Sequence, residues 1–345
     1  MGGGDIGEIL PKHYVGVENL SGSIIAVDAY NMLYQFLSTI RQPDGTPLMD
    51  SNGRITSHLS GIIYRVTNLM ACGILFIFVF DGSPPELKMK TLKRRKESRE
   101  YARMQWEYLR EISPELALKY AKASAYVDEE IVESAKKLLS YLGVPIIQSP
   151  SEGEAQAAFI AARGDAHHVA SQDYDSLLFG APSLIRNMSI SHRHYTIISL
   201  HETLKTHNIT RENLIDVAIL IGTDYNDGIR GIGPKKALKL IKKYGCIEKI
   251  IAAKKIDTEG IEDYQIIREM FLHPDVYENY EIKWNPPDES KVLSFLCDEH
   301  EFSEARVRRA LSRIVRERDD DDRSSRDSEK RRKKSSEQAK ISDWL

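Results

Sequence analysis

At 345 residues, 41% hydrophobic and 29% charged, the chain has the size and composition of a folded core of one large domain or two modest ones, not of a disordered or fibrous protein. Its net charge of −3 averages over segments of opposite sign, and three widely spaced cysteines (Cys72, Cys246, Cys297) exclude a disulfide framework and a zinc site and fit a reducing interior. The longest strongly apolar run is Ile74–Phe80, and the opening MGGGDIGEIL has no signal-peptide pattern and places Ile6 where a myristoylation signal needs Ser or Thr, so a cytoplasmic protein with no membrane anchor is expected.

In chain order, Ile24–Asp28 is a short β-branched run ending in Asp and reads as a buried parallel strand. Ala29–Ile40 and Thr56–Ala71 read as helices joined by a loop rich in Pro, Gly and Asp. Ile74–Asp81, Val144–Gln148 and His168–Ser171 repeat the strand pattern, the last two separated by a helical stretch, Ser151–Arg163. Strands alternating with helices predict an α/β fold with a mainly parallel central sheet flanked by helices. Glu86–Leu142 is almost wholly helix-forming and interrupts the alternation, and the chain is helical again from about Asn208 to Leu272, with a glycine-rich hinge at Gly228–Gly233. Arg316–Gln338 holds runs of Asp and of Lys/Arg with no large apolar residue, a linker composition, before Ile341, Trp344 and Leu345 return at the end.

Seven carboxylates stand where strands should end or helices begin: Asp28, Asp81, Glu152, Glu154, Asp173, Asp175 and Asp224. Ligands of such sheets bind beyond the carboxyl ends of the strands, which is where these acids should gather. Each has a plainer reading alone. Asp after a strand is a common turn former or helix cap, and Ser151 with Glu154 three residues on fits a capping box, with Pro150 helping to start the helix. Together they imply more, because two carboxylates about 4 Å apart repel by ~4 kcal/mol at an effective dielectric of 20. Such a cluster requires protonation or cations, and all-oxygen sites favour hard ions such as Mg²⁺.

Lys88–Arg110 carries nine Lys or Arg against three Glu, a formal charge of about +6. Lys88 and Arg95, seven apart, share a helix face beside the acids; the alternative is a solvated charged helix. A basic helix next to an acid cluster suits a polyanionic substrate whose scissile phosphate meets metal. Gly228-Ile-Arg-Gly-Ile-Gly-Pro-Lys-Lys-Ala237 opens a helix at Pro234, and Gly231, Gly233, Lys235 and Lys236 would bring backbone amides and charge to phosphates. The pairs His167/His168 and His192/His194 lack a third ligand at metal spacing and read as surface or strand-edge residues. No Ser/His/Asp nucleophile stands out.

The blocks VDAYNMLYQFL, RITSHLSGIIYR, FVFDGSPPELK, PSEGEAQAA, SQDYDSLLFG and GTDYNDGIRGIGPKKALKLI, in this order, resemble the flap endonuclease family, most closely its archaeal members among the XPG/Rad2-like 5′ nucleases. The likeness runs from Met1 to about Val315 and returns in the last eight residues. It implies a PIN-like 5′ nuclease core over residues 1–315: an N-terminal region to about 100, a helical arch over about 86–142 and an internal region over about 120–260. A helix–hairpin–helix element would span about 222–245, followed by a charged linker at 316–337 and a sliding-clamp (PCNA) binding box at 338–345.

The resemblance further implies that the seven acids hold two Mg²⁺ ions, with Mn²⁺ as a substitute. Asp28, Asp81, Glu152 and Glu154 match one side of that site, and Asp173, Asp175 and Asp224 the other. Lys88 and Arg95 match the basic pair at the scissile phosphate, and Tyr34 an aromatic that stacks on the base beside the cut. Arg41 and Thr56 bound a loop matching the region that wedges the duplex junction, and Gly2 matches a terminal residue near the active site. The hairpin matches an element that grips duplex DNA and can hold K⁺ through backbone carbonyls. Gln338, Ile341, Trp344 and Leu345 match the anchors of the clamp box. Two features depart from the pattern: MGGGDIG starts one residue long, and Asn226-Asp227-Gly228 replaces the commoner Pro-Gly or Glu-Ser turn.

The expected function is Mg²⁺-dependent cleavage of 5′ flaps in branched DNA, with 5′–3′ exonuclease activity, during replication and long-patch base-excision repair, by a monomer tethered to the clamp. The alternatives are a catalytically silent DNA-binding scaffold and a related 5′ exonuclease or junction resolvase.

Overall fold

The computed structural model describes residues 6–188 and 194–314. Seven strands form one sheet among the described residues: β1 (His13–Val15), β2 (Ile24–Asp28), β3 (Leu75–Phe80), β4 (Ile146–Gln148), β5 (His168–Ala170), β6 (Ser183–Arg186) and β7 (Tyr195–Ser199). Their order is β1-β7-β6-β5-β2-β3-β4. The run from β6 to β4 is parallel, while β7 pairs antiparallel with both β6 and β1. The sheet is mainly parallel, as the alternation of elements predicts. The antiparallel edge strands are an addition that the sequence pattern did not announce.

Both faces of the sheet are covered, so the central strands β2 and β3 are apolar on both faces up to their carboxyl ends. Ala26, Ile77, Val79 and Val169 belong to one core, and Ile25, Val27, Phe76, Phe78 and Phe80 to the other. Alternate residues of β2 and β3 therefore serve opposite cores, the period of two that a pleated strand imposes.

Helices α1 (Ala29–Thr39), α2 (Ser57–Gly61), α3 (Thr67–Met70) and α6 (Glu129–Tyr141) cover the second core, and α7 (Gly153–Ala162) and α8 (Asp175–Leu178) lie on the first. Between α3 and α6 in sequence, α4 (Met89–Leu109) and α5 (Pro114–Ala123) pack on each other as a hairpin, and of the α4 residues only Ala102 is buried. Helices α9 (Leu200–His207), α10 (Arg211–Ile221), α11 (Pro234–Tyr244), α12 (Ile247–Ala252) and α13 (Tyr264–Leu272) complete the first core, and α14 (Glu289–Leu293) joins the second. Among the described residues no helix is long and apolar enough to cross a membrane.

Two local expectations are corrected. The stretch expected as one helix over Thr56–Ala71 contains a π-helical turn, Ile62–Val66, between α2 and α3. The expected capping box at Ser151 and Glu154 is absent: α7 starts at Gly153 with Glu152 as its N-cap, and no side chain caps it. Ser149 Oγ instead donates to Glu152 O at 3.0 Å, which leaves the Glu154 side chain available to face inward.

From residue 274 to 288 the chain runs without regular structure, tied by hydrogen bonds to β3, α7 and the end of α6. Trp284 Nε1 donates to Phe76 O (2.9 Å), and the amides of Asn285 and Asp288 donate to Gly143 O (2.9 Å) and Tyr141 O (2.8 Å). Gln156 exchanges two bonds with the Tyr277 backbone, at 3.0 and 2.7 Å.

Candidate active site

Parallel strands placed side by side deliver their carboxyl ends to one edge, and six of the predicted acids meet there. Asp28 is the last residue of β2 and the N-cap of α1, accepting the Asn31 amide at 3.0 Å. Asp81 follows β3, and its Oδ1 accepts the Gly153 amide at 2.5 Å. Glu152 caps α7 and Glu154 lies in its first turn, 3.4 Å from Ser176 Oγ. Asp173 and Asp175 follow β5. The seventh acid, Asp224, reaches the same place from the turn after α10.

The group is held together by cations and neutral donors. Lys88 Nζ lies 2.5 Å from Glu152 Oε2 and 3.4 Å from Asp224 Oδ2. Arg95, on α4, places Nη2 2.6 Å from Asp224 Oδ1. Asn31 Nδ2 donates to Asp173 Oδ2 at 3.1 Å, and Asn31 Oδ1 accepts the Gln172 amide at 3.1 Å. Ser171 Oγ donates to Asp28 Oδ2 at 3.3 Å and accepts the Asp173 amide at 3.2 Å.

The proton affinity of six of these acids is raised by burial, with the neighbouring charges. Burial, reinforced by the Asp81 and Asp173 charges, pushes the Asp28 carboxyl well above the usual range, and burial with Asp28 and Asp173 does the same to Glu154. Burial also raises Asp81, and it raises Glu152 against the opposing pull of Lys88. Asp175 is pushed up to about 8 by burial and then by Asp224 and Asp173. Asp173 reaches solvent at the mouth, yet the surrounding protein and Asp224 still raise it. Lys88 responds oppositely: burial pulls it down, but the Glu152 and Asp224 carboxylates win and hold its charge firmly. Tyr225, buried beneath the acids, is raised by burial and by Glu152 and Asp175. Lys88 and Arg95, with Arg186 acting on Asp173 from farther off, therefore serve seven acids, and the balance of charge is negative. Among the described residues no three His, Cys, Asp or Glu side chains already converge on a single metal position.

The surrounding architecture matches known proteins along almost its whole length. The XPG N-terminal domain family matches residues 6–102 and the XPG I-region family matches residues 143–224. The flap endonuclease 1 of Methanosarcina acetivorans is 50% identical over 325 residues, covering 90% of this chain and 95% of that protein. That of Pyrococcus furiosus is 52% identical over 323 residues, covering 90% and 94%. The chain belongs to the flap endonuclease family. Its members are structure-specific DNA nucleases, hydrolases of the phosphodiester bond. The solved flap endonuclease-1 of Methanococcus jannaschii aligns with a TM-score of 0.73 at 40% identity, covering 90% of this chain and 96% of that one. The catalytic core of Rad2 in complex with a DNA substrate shares the fold, with a TM-score of 0.69 at 24% identity over 90% of this chain and 97% of that one.

Elsewhere in this flap endonuclease chain, the other predicted residues occupy varied settings. Tyr34 lines a cavity of about 450 Å³ between α1 and α5, with Glu115, Lys119 and Lys122. Arg41 is committed to the backbone, with Nε donating to Leu37 O at 2.8 Å and Nη1 to Gly45 O at 2.7 Å. Thr56 is buried and its amide donates to Leu48 O at 2.7 Å. Gly231 takes φ +79°, and a Cβ there or at Gly233 would meet nothing within 4 Å, so this turn faces open space. Lys235 lines a cavity of about 640 Å³ with Lys239, Lys242 and Lys243, and Lys236 Nζ lies 3.3 Å from Gly231 O. His167 Nδ1 accepts the Ile24 amide at 2.8 Å and the residue is exposed, as expected, whereas His168, whose Nδ1 bonds Ser183 Oγ at 2.8 Å, stands half-buried in β5, an interior strand rather than an edge. Gly2, His192, the linker and the clamp box with Gln338, Ile341, Trp344 and Leu345 lie outside the described residues.

Sequence reasoning missed Asn31, Ser171 and Gly153. Asn31 stands three residues after Asp28, the N3 position of α1, and that spacing was the available signal. Gly153 was hidden between two glutamates. A Cβ there would stand 2.6 Å from Asp81 Oδ1, so the glycine lets the carboxylate lie against the backbone.

Proposed function

We propose that the chain hydrolyses the phosphodiester bond at the base of 5′ flaps with two Mg²⁺ ions held by Asp28, Asp81, Glu152, Glu154, Asp173, Asp175 and Asp224. The observation that supports this is the excess of acids over cations at the strand ends, which leaves carboxylates of raised proton affinity facing one another. The donor set is all oxygen, which suits a hard divalent ion, Mn²⁺ included. When bound, such ions supply Lewis-acid stabilisation of the charge that develops on the phosphodiester, and a low-pKa water.

The chain's own residues do the rest. Lys88, permanently charged in a largely buried position, meets the scissile phosphate and stabilises its transition state. Arg95, at the mouth, exchanges Asp224 for a substrate phosphate. Asn31 and Ser171 fix Asp28 and Asp173 relative to each other. The α4–α5 hairpin serves as the arch that admits a free 5′ end, and Tyr34 stacks on the base beside the cut. The Gly231–Gly233 turn with Lys235 and Lys236 grips duplex phosphates, with K⁺ on its carbonyls. Recognition is then by shape and phosphate rather than base sequence. The protein acts on branched DNA in the cytoplasm as a monomer, tethered to the sliding clamp through Gln338, Ile341, Trp344 and Leu345 on a charged linker.

The test is cleavage of a 5′-labelled double-flap DNA with Mg²⁺ and with EDTA, beside single-strand, nicked and four-way-junction substrates. A metal-dependent cut near the flap base, strongest on the double flap, is expected. Preferred cutting of the junction would move the protein to the resolvases, and binding without cutting would make it a scaffold.

A further inference from the structure

Asp224 and Asp227, three residues apart in the turn between α10 and α11, each take two cations from the start of the α4 hairpin. Asp224 takes Lys88 and Arg95. Asp227 takes Lys90 and Arg94: Lys90 Nζ is 2.8 Å from its Oδ2 and Arg94 Nη2 is 2.6 Å from its Oδ1. The second set is of a different kind. The Lys90, Arg94 and Asp227 side chains are 72, 52 and 45% exposed, and Asp227 is not among the seven acids assigned to metal.

Exposed ion pairs add little to stability, so packing does not explain why this carboxylate is kept in place. Its geometry does offer a reason. Lys90 and Arg94 are one turn apart on α4 and form a two-pronged cationic fork, and the two carboxylate oxygens each fill one prong, as two oxygens of a phosphodiester would. The two prongs hold Asp227 below the usual carboxylate range, which keeps it anionic. Glu262, whose carboxylate accepts the Gly260 amide at 3.0 Å, adds negative charge on the same side.

We propose that Lys90 and Arg94 form a phosphate site for the substrate strand, and that Asp227 occupies it in the DNA-free protein as an internal competitor. The fork lies next to Arg95 on the same helix, so a strand whose phosphate meets Arg95 places a neighbouring phosphate near it. A strand that cannot displace Asp227 meets a fork whose prongs are occupied and whose positive charge is partly offset, which raises the threshold for binding. This inference rests on the reading that α4 faces substrate phosphates.

The experiment is fluorescence anisotropy of a labelled 5′-flap DNA in EDTA, over roughly 50–200 mM salt. Asp227→Asn should bind roughly three- to tenfold more tightly at low salt, the scale of one or two exposed ion pairs, and steepen the slope of log K against log salt by about 1. Asp227→Glu, which keeps the charge, should match the wild type. Lys90→Gln/Arg94→Gln should weaken binding and make Asp227→Asn silent in that background. If the wild type binds flap DNA and Asp227→Asn leaves affinity and slope unchanged, the competitor role is overturned. Weaker binding by Asp227→Asn also overturns it, in favour of a brace. Failure of the wild type to bind flap DNA at all would overturn both this inference and the nuclease reading beneath it.

Discussion

The Gly153 amide donates to Asp81 Oδ1 at 2.5 Å, and a Cβ on residue 153 would stand 2.6 Å from that same oxygen. The start of α7 and the end of β3 are thereby locked to one another through a single carboxylate. Gly153→Ala should displace Asp81 and lower kcat for flap cleavage by roughly 10- to 100-fold, the loss expected for a misplaced catalytic group. Flap-DNA affinity should change less than about twofold. A wild-type rate in this variant would show that Asp81 does not need this support.

Lys88 lies between Glu152 and Asp224, and its loss has two consequences that can be measured separately. Lys88→Met should lower kcat by about 10²–10³ if the ammonium stabilises transition-state charge. In EDTA it should also lower the melting temperature, because Glu152 is left buried beside other acids without its cation. An unchanged kcat would assign Lys88 to structure alone.

Asp175 links pH to stability. Burial and the neighbouring Asp224 and Asp173 raise its carboxyl from 3.8 to about 8. The folded state thus binds this proton more tightly than the unfolded state does. Between those two values the site costs stability as pH rises. In EDTA, Asp175→Asn should therefore stabilise the protein more at about pH 8 than at about pH 5. Adding Mg²⁺ should reduce or reverse the gain at the higher pH. Equal melting shifts at both pH values would contradict the assigned repulsion.

Away from the site, Asp216 is 2% exposed and bonds Arg268 Nε at 2.7 Å and the Ile247 amide at 3.2 Å. Arg268 also grips Glu248 with both Nη atoms, at 2.8 and 3.2 Å. This network ties α10, α12 and α13 beneath the lysine-rich α11. Arg268→Met leaves Asp216 buried without its cation and should cost about 3–5 kcal/mol by urea denaturation. A loss below about 1 kcal/mol would place the pair among weak surface bridges.

The sequence made the centre of the sheet legible because its physics is local. In β2 and β3 every residue before the closing Asp28 and Asp81 is apolar, and the Asp marks where the apolar run stops. The edge was harder to read. Strand β1 has three residues, and β6 and β7 are defined by pairing with each other rather than by a pattern of their own. At the site, acids after strands could be found by inspection. Asn31 was harder, since beyond its spacing after Asp28 its role appears only when β5 brings Asp173, 142 residues on, to within 3.1 Å of its amide. Ser151 shows the reverse failure. A valid local capping signal lost to Ser149, which bonds the Glu152 carbonyl and shifts the helix start to Gly153.

The strap over residues 274–288 bears on how the protein is made. All seven acids have been synthesised by residue 224, but the carbonyls of Phe76, Gly143 and Tyr141 find these partners only once residues 284, 285 and 288 have emerged. A nascent chain stalled between those points leaves these carbonyls without their partners and the part of the first core that Val276, Ile282 and Trp284 pack against bare. The nuclease is therefore completed late in translation, and a chain cut short near residue 270 should be cleared by proteases rather than released as a DNA-cutting fragment.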